Sequence, residues 1–369
     1  MEEILSCKNC LMPSSRPRVS FNKDQICNGC LHQFEKRKIN WDDRKKEFKD
    51  ICDKFRSKNN EYDCIVPWSG GKDSSYIAHR LKFEFNMNPL LVTFSPLMPT
   101  EIGFINRLKL INQGFDNIFF TPNQKISRYL SKRFFIERGN PKTHWDAGIN
   151  SLPVKIAIEK NINLIFYAEH GESEYGGKLL SKESLRSRNL EEVLENQIGD
   201  HPSNWVDQHV NQKDIECYIY PDEDLLIKKK INAFYFSYFF YWDVYENYKY
   251  VKEKFGFKNN LKRISGTFQD YDSMDDKIDP LYYYMQLVKF GFGRSLRDAS
   301  RLLKNGHISL EKAKEYIKKY DDEFPDENLI DVLEYLDIEK NELSEIIDHH
   351  RNKEIWIKKN NNFELTFDK

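Results

Sequence analysis

Short apolar segments alternate with helix-length segments between residues 62 and 168, and this alternation constrains the fold more than any other feature of the chain. Strands are predicted at residues 62–67, 89–94, 117–120 and 164–168, and helices at residues 73–85, 102–114, 124–137 and 151–161. Strands that alternate with helices of about 10–15 residues form right-handed βαβ units covered on both faces. The sequence therefore predicts an α/β fold with a doubly wound parallel sheet.

The first predicted strand ends in a glycine turn that leads directly into a helix. The turn reads Trp68-Ser69-Gly70-Gly71-Lys72-Asp73-Ser74-Ser75. Two glycines allow a tight turn whose N–H groups face an anion, and the helix start adds about half a positive charge. It is not a Walker A loop, because Val66 replaces the first glycine of that motif and Asp73 follows Lys72. A carboxylate would repel phosphates unless it works through Mg²⁺, so the turn predicts a magnesium-dependent phosphate site.

Four of the seven cysteines form two closely spaced pairs near the start of the chain. Cys7 and Cys10 are separated by sixteen residues from Cys27 and Cys30. Four thiolates complete the tetrahedral shell of a zinc ion, which is typical of a structural site. We expect a zinc-knuckle module with four cysteine ligands over residues 1–34, a segment too small to fold without the metal. A redox pair or a fortuitous grouping of cysteines is the alternative.

Composition and charge exclude several classes of protein. Lys and Arg number 57 and Asp and Glu 58, and this net charge of −1 argues against a dedicated nucleic-acid binder. No apolar run approaches the roughly 20 residues of a membrane helix. The start of the chain has neither the basic segment nor the apolar segment of a signal peptide. We expect a cytoplasmic protein without a membrane partner.

The pattern changes after about residue 178. Residues 179–232 are polar with helical pieces, and residues 233–257 are dense in Phe, Tyr and Trp, which favours a packed core. Helices are predicted at residues 280–290, 295–305, 309–319, 326–336 and 339–350. We expect an α/β domain over residues 35–180 and a mixed, then helical, region over residues 181–369 that binds the substrate or a partner.

The string Ser-Gly-Gly-Lys-Asp-Ser-Ser at residues 69–75 resembles the pyrophosphate loop of the N-type ATP pyrophosphatases, or PP-loop superfamily. That superfamily includes asparagine, GMP and NAD synthetases and the tRNA thiolases, and the resemblance covers residues 62–170. It implies that a carbonyl oxygen is adenylated, pyrophosphate leaves, and a nitrogen or sulfur nucleophile displaces AMP. It also implies catalytic roles for Lys72 and Asp73. The residues implied to bind ATP are Ser69, Gly70, Gly71, Asp73, Ser74 and Ser75, with Phe94 and Ser95 near adenine.

Three further segments, together with the cysteine pairs, resemble the N-acetyl sugar amidotransferases of pseudaminic-acid and O-antigen sugar synthesis. They are residues 169–177, 304–308 and 320–325. This resemblance implies that ATP adenylates the acetamido oxygen of an N-acetylated, nucleotide-linked sugar and that ammonia then gives an acetamidino group. Glu172 and Glu174 are the predicted catalytic carboxylates, for orienting or deprotonating ammonia or for holding Mg²⁺, and Glu169 is a third candidate. A solvated loop is the alternative.

The reaction needs a source of ammonia. An N-terminal-nucleophile glutaminase needs a cysteine directly after Met1, where this chain has Glu2. The cysteines outside the two pairs lack the flanking glycines of a nucleophile elbow. We therefore expect a separate glutaminase partner that supplies ammonia through a channel.

Two other functions fit parts of the sequence. A PP-loop tRNA thiolation or modification enzyme would also pair cysteine knuckles with this loop, and residues 1–60 are basic. The overall charge and the lack of a further cysteine pair argue against it. A zinc-containing scaffold that holds ATP without turnover is the third possibility, and the complete loop at residues 69–75 argues against that function.

Overall fold

The computed structural model describes residues 3–59, 61–178, 180–188, 198–360 and 362–369. Its main sheet contains β1 (Cys64–Pro67), β2 (Pro89–Phe94), β3 (Asn117–Phe120), β4 (Leu164–Tyr167) and β5 (Asn232–Tyr235). The strands lie in the order β3-β2-β1-β4-β5, and every pair is parallel. The predicted parallel α/β sheet is therefore confirmed.

Each strand sends alternate side chains into two separate cores, because successive side chains of a strand point to opposite faces. In β1, Val66 faces one core and Ile65 the other, and in β4 Phe166 and Ile165 divide in the same way. Both faces are buried, which explains why these strands are continuously apolar in the sequence.

Helices cover both faces of this sheet. The first six are α1 (Asn28–Lys36), α2 (Trp41–Phe55), α3 (Lys72–Phe83), α4 (Glu101–Ile111), α5 (Gln124–Arg138) and α6 (Thr143–Lys160). Side chains of α2 and α3 enter the first core, and those of α5 and α6 the second. Helix α6 begins eight residues before the predicted start, although Gly148 lowers its helix propensity. Close packing of the Phe94 ring at Gly148, which leaves no room for a side chain there, offsets that cost.

The fifth strand lies beyond residue 180, where the sequence predicts the end of the α/β domain. Short helices precede and follow this strand along the chain. They are α7 (Gly171–Tyr175), α8 (Lys182–Arg186), α9 (Gln212–Ile215), α10 (Glu223–Lys228) and α11 (Phe236–Phe239), with 3₁₀ turns at Pro202–Trp205 and Glu216–Tyr218. Helix α12 (Val244–Phe255) packs on α3. The aromatic segment after residue 232 therefore completes the sheet and its first core, as expected for packed aromatic residues.

The C-terminal part is helical and ends in an antiparallel hairpin. It contains α13 (Asp279–Phe290), α14 (Arg294–Lys304), α15 (Leu310–Tyr320), α16 (Leu329–Leu336), α17 (Lys340–His350), β6 (Trp356–Lys359) and β7 (Asn362–Leu365). The five helices agree with the predicted ones, whereas the hairpin has no counterpart among the predicted elements. Helices α14 and α15 pack against the cysteine segment through residues such as Leu296 and Ile317. Within the described ranges, no helix combines the length and the apolar character that crossing a bilayer requires.

Candidate active site

The glycine turn lies where β1 and β4 end side by side. The chain leaves β1 toward β2 and later returns to β4 on its other side, and such a change of direction opens a crevice at the carboxyl ends of parallel strands. Gly70 has a φ of +93°, which a residue with a Cβ adopts only under strain. The crevice holds a cavity of about 520 Å³, within the range of small-molecule sites.

Most of the predicted ATP-binding residues line this cavity. They are Ser69, Gly70, Gly71, Asp73, Ser74 and Phe94, and Lys72, which was predicted to be catalytic, lines the cavity as well. Ser75 lies behind the turn, fully buried, and its hydroxyl accepts a hydrogen bond of 2.8 Å from Trp68 Nε1. Ser95 is also buried, and its carbonyl oxygen accepts a hydrogen bond from Trp145 Nε1. Ser75 and Ser95 therefore do not line the cavity, but each hydrogen-bonds a tryptophan that does.

Lys72 is held between two carboxylates at the start of α3. Its Nζ lies 2.7 Å from Asp73 Oδ2 and 2.8 Å from Asp272 Oδ1. Burial alone would lower the pKa of Lys72, but the two carboxylates outweigh it and raise that pKa. The other oxygen of Asp73 accepts a hydrogen bond of 2.9 Å from Asn247 Nδ2 on α12. These contacts fix the orientation of both side chains.

Arginines of α14 complete the charged wall behind Lys72. Arg294, Arg297 and Arg301 are spaced three and four residues apart, so they share one face of the helix. Arg297 Nη2 lies 3.0 Å and Arg301 Nη1 3.6 Å from Asp272 Oδ2. Although burial opposes ionisation, Lys72 and these arginines lower the pKa of Asp272. This spacing is a sequence signal that could have indicated the charged face.

The opposite wall is acidic. Asp146, Asp275 and Asp279 line the cavity, and Lys142 Nζ contacts Asp279 Oδ1 at 2.5 Å. Burial raises the pKa of Asp146 and that of Asp275 to about 7. Asp276, in contrast, accepts hydrogen bonds from three backbone N–H groups and supports the loop. The hydroxyl of Tyr167 is buried at the cavity and has no hydrogen-bond partner within the described residues, which suits a polar ligand.

Of the three glutamates after β4, the structure brings Glu169 to the cavity. Tyr175 Oη donates a hydrogen bond of 2.7 Å to Glu169 Oε1, and burial together with the nearby Asp73 carboxylate raises the pKa of Glu169 to about 7. The lining residues include neither Glu172 nor Glu174.

Glu172 and Glu174 bind the N-terminal segment instead. Arg18 donates hydrogen bonds of 3.0 and 2.6 Å to the Glu172 carboxylate. Lys36 Nζ lies 2.7 Å from Glu174 Oε2, and although burial would raise the pKa of Glu174, this ammonium group lowers it to about 2. Their catalytic roles thus have no support in this geometry, because neither carboxylate lines the cavity and each is bound to a cation of the N-terminal segment.

The four paired cysteines lie together and are buried. All four sulfur atoms lie within 4.8 Å of one another, with Cys7 Sγ 3.8 Å from Cys30 Sγ and Cys10 Sγ 3.6 Å from Cys27 Sγ. A tetrahedral zinc ion with bonds of about 2.3 Å separates its ligands by about 3.8 Å. Two N–H groups, from Asn9 Nδ2 and the Cys27 backbone, point at these sulfurs, as expected around thiolates. The cluster therefore fits a structural zinc ion.

Comparison with known proteins connects the C-terminal part of the chain to polysaccharide synthesis. Residues 234–368 match the family of LPS biosynthesis proteins described as WbpG-like, over the C-terminal domain of that family. An uncharacterized protein of Methanocaldococcus jannaschii is 33% identical over 89 residues, which are 24% of this chain and 32% of the relative. The chain thus spans about a third of the length of the curated relative that it matches. The match over residues 234–368 supports a family of O-antigen sugar biosynthesis proteins, and this segment supplies Asp272, Asp275 and the arginines of α14 to the site.

Proposed function

We propose that this chain is an ATP-dependent amidotransferase of the N-acetyl sugar amidotransferase family, within the PP-loop superfamily, acting in the cytoplasm. It would adenylate the acetamido oxygen of an N-acetylated, nucleotide-linked sugar and replace that oxygen with ammonia. The observation on which the proposal rests most is the glycine turn with Asp73 at the carboxyl end of β1, in one cavity with Glu169. The WbpG-like segment favours a sugar over a tRNA as the substrate.

The reaction takes place in two steps. The acetamido oxygen attacks the α-phosphorus of ATP, and the bond from that phosphorus to pyrophosphate breaks. Ammonia then adds to the former carbonyl carbon, loses a proton, and the C–O bond to AMP breaks to leave an amidine. The first step is needed because an amide oxygen is a poor leaving group, whereas AMP is a good one.

The residues of the cavity suit these steps. N–H groups of the glycine turn and the Lys72 ammonium bind the pyrophosphate portion. Asp73 provides the kind of oxygen ligand that Mg²⁺ prefers, and a bound Mg²⁺ would neutralise charge on the leaving pyrophosphate. Side chains from the loop before α13 and from α13 line the cavity, which would limit access of water to the adenylated intermediate.

Glu169 is the carboxylate placed to take the proton from ammonia as it adds. With a pKa of about 7 it is protonated and inactive as a base below that pH and ionised above it. The groups that set this pKa are Asp73 and Lys72 on α3, Tyr175 on α7 and Arg301 on α14.

We expect amidine formation, at constant free ammonia, to rise with pH through about 7 in the unmodified chain. Glu169→Gln should lower the rate roughly 100-fold or more and remove this rise, because the amide cannot accept the proton. Glu172→Gln, three residues further along on α7, should keep the rise. Initial rates from pH 5.5 to 8.5 would measure this, and an unchanged profile in Glu169→Gln would exclude Glu169 as the base.

The proposal includes a separate glutaminase that delivers ammonia. A glutaminase nucleophile must be an ionised thiol, yet burial raises the pKa of Cys52 to about 12 and that of Cys217 to about 11, and raises that of Cys64 as well. The isolated chain should therefore use ammonium salts and fail to use glutamine. Efficient use of glutamine by the isolated chain would refute the need for this partner.

Mass spectrometry after incubation with ATP, Mg²⁺, ammonium and a panel of nucleotide-linked N-acetylated sugars would test the function. The expected product has NH in place of one oxygen, with AMP and pyrophosphate in equal amounts. Asp50→Asn, a change on an exposed face of α2, serves as the control variant. Salt-sensitive binding of tRNA with no change in any sugar would favour the tRNA-modifying alternative, and ATP binding without turnover would favour the scaffold.

A further inference from the structure

A second cavity, of about 390 Å³, adjoins the cavity of the glycine turn. Asp146 and Tyr282 line both cavities, so the two share a wall. One side of the second cavity comes from the segment between the two cysteine pairs, through Arg16 and Arg18, and the other from the C-terminal end of α13, through Lys289.

The second cavity is basic. Arg16, Arg18 and Lys289 line it, with Arg18 paired to Glu172, and Asp146 is the sole carboxylate among its lining residues in the described part of the chain. Because burial raises the pKa of Asp146 to about 7, that carboxyl carries only part of a negative charge near neutral pH. The first cavity, in contrast, contains several carboxylates. The second cavity therefore has far fewer carboxylates than the first, and it favours an anion without a metal ion.

Two of these cations are held in place by neutral groups. Arg16 Nε donates a hydrogen bond of 2.8 Å to the carbonyl oxygen of Gly176, and Lys289 Nζ one of 3.0 Å to that of Arg138. Among the residues that the structure describes, neither cation forms an ion pair with a carboxylate. Half-buried cations that are positioned by carbonyl oxygens, and that form no direct ion pair within the described residues, can bind phosphate groups.

Aromatic rings lie next to these cations. Phe290 and Phe292 line the second cavity, with ring centroids 6.2 Å apart and planes inclined by 21°. The Arg16 guanidinium carbon lies 5.6 Å from the centroid of the Phe292 ring. Flat apolar surfaces beside phosphate-binding cations are what a nucleotide needs, since bases stack on aromatic side chains.

We propose that the second cavity binds the nucleoside diphosphate part of the substrate. Arg16 and Lys289 contact the diphosphate, and the half-buried Phe290, supported by the buried Phe292, faces the nucleoside. The attached sugar then passes between Asp146 and Tyr282 into the first cavity. The path of the sugar rests on the proposed function, whereas the diphosphate site itself does not. The cysteine module would then contribute to substrate binding, because Arg16 lies between its two cysteine pairs.

Calorimetric titration of the full chain with UDP and with GDP, without ATP or Mg²⁺, tests the site. We expect at least one of these to bind, and Arg16→Gln and Lys289→Gln each to weaken that binding roughly tenfold or more, because each removes a charge-assisted hydrogen bond. Lys318→Gln, on an exposed face of α15, should leave it unchanged. Melting temperatures of all variants would show whether they remain folded, and the Arg16 and Lys289 variants should keep their affinity for Mg²⁺-ATP.

The outcomes separate this site from the proposed function. If UDP or GDP binds and both variants weaken it, but no sugar yields an amidine, the diphosphate site holds and the proposed function fails. If amidine forms while both folded variants keep the nucleotide affinity and the KM for the sugar, the site is refuted and the function holds. Binding of neither nucleoside diphosphate, or an equal loss of ATP affinity in the variants, would also refute the site.

Discussion

Asp73→Asn is expected to lower ATP-dependent pyrophosphate release at least roughly 100-fold, because a Mg²⁺ ligand beside the leaving group is worth several kcal/mol and each 1.4 kcal/mol is about tenfold. Asparagine has the size of aspartate, and its side-chain oxygen can still accept the hydrogen bond from Asn247. Lys72 keeps its second partner, Asp272. The substitution therefore removes a charge and the Lys72–Asp73 contact, whereas the Asn247 and Lys72–Asp272 contacts remain.

The effect of Asp73→Asn on ATP affinity should change direction depending on whether Mg²⁺ is present. With Mg²⁺, the unmodified chain should bind ATP more tightly than Asp73→Asn. With EDTA in place of Mg²⁺ the order should reverse, because an aspartate without the ion repels the phosphates. Calorimetry under both conditions measures this, with Asp50→Asn as the control for charge at an exposed site. Turnover by Asp73→Asn near the original rate would remove Asp73 from the mechanism.

Cys27→Ser is expected to remove bound zinc and to lower the melting temperature by roughly 10 °C or more. Cys27 Sγ lies 3.6 Å from Cys10 Sγ in the buried cluster, and a serine hydroxyl is a poor ligand for zinc. The loss extends beyond the metal, because Leu11 and Met12 pack in the same core as Leu296 of α14. Without the ion, this packing and the Lys36–Glu174 pair lose their support.

Atomic spectrometry and scanning calorimetry would measure both effects. Cys217→Ser, a half-buried cysteine outside the cluster, is the matched control and should keep the full zinc content. Removal of zinc from the unmodified chain with a strong chelator should reproduce the loss of stability. An unchanged metal content in Cys27→Ser would reject the zinc site.

The interior of the candidate site was only partly predictable. The turn at residues 69–74 could be read from the sequence, because its glycines and the following helix lie in one short segment. The pairing of Lys72 with Asp272 could not, because the partners are 200 residues apart in the chain. Glu169, Glu172 and Glu174 lie within six residues of one another, and the contacts of Arg18 and Lys36 with the last two decide which carboxylate faces the cavity.

The sequence by itself determined the elements and the local chemistry: the alternation of strands and helices, the glycine turn and the spacing of the cysteines. These depend on side-chain periodicity and on backbone freedom over a few residues. The tertiary structure alone decided that Asn232–Tyr235 joins the sheet, that Asp272 and the arginines of α14 reach the turn, and that Arg16 meets Lys289 at a second cavity. Such contacts depend on how segments distant in the chain pack together, and a local sequence pattern does not indicate which surfaces will be in contact.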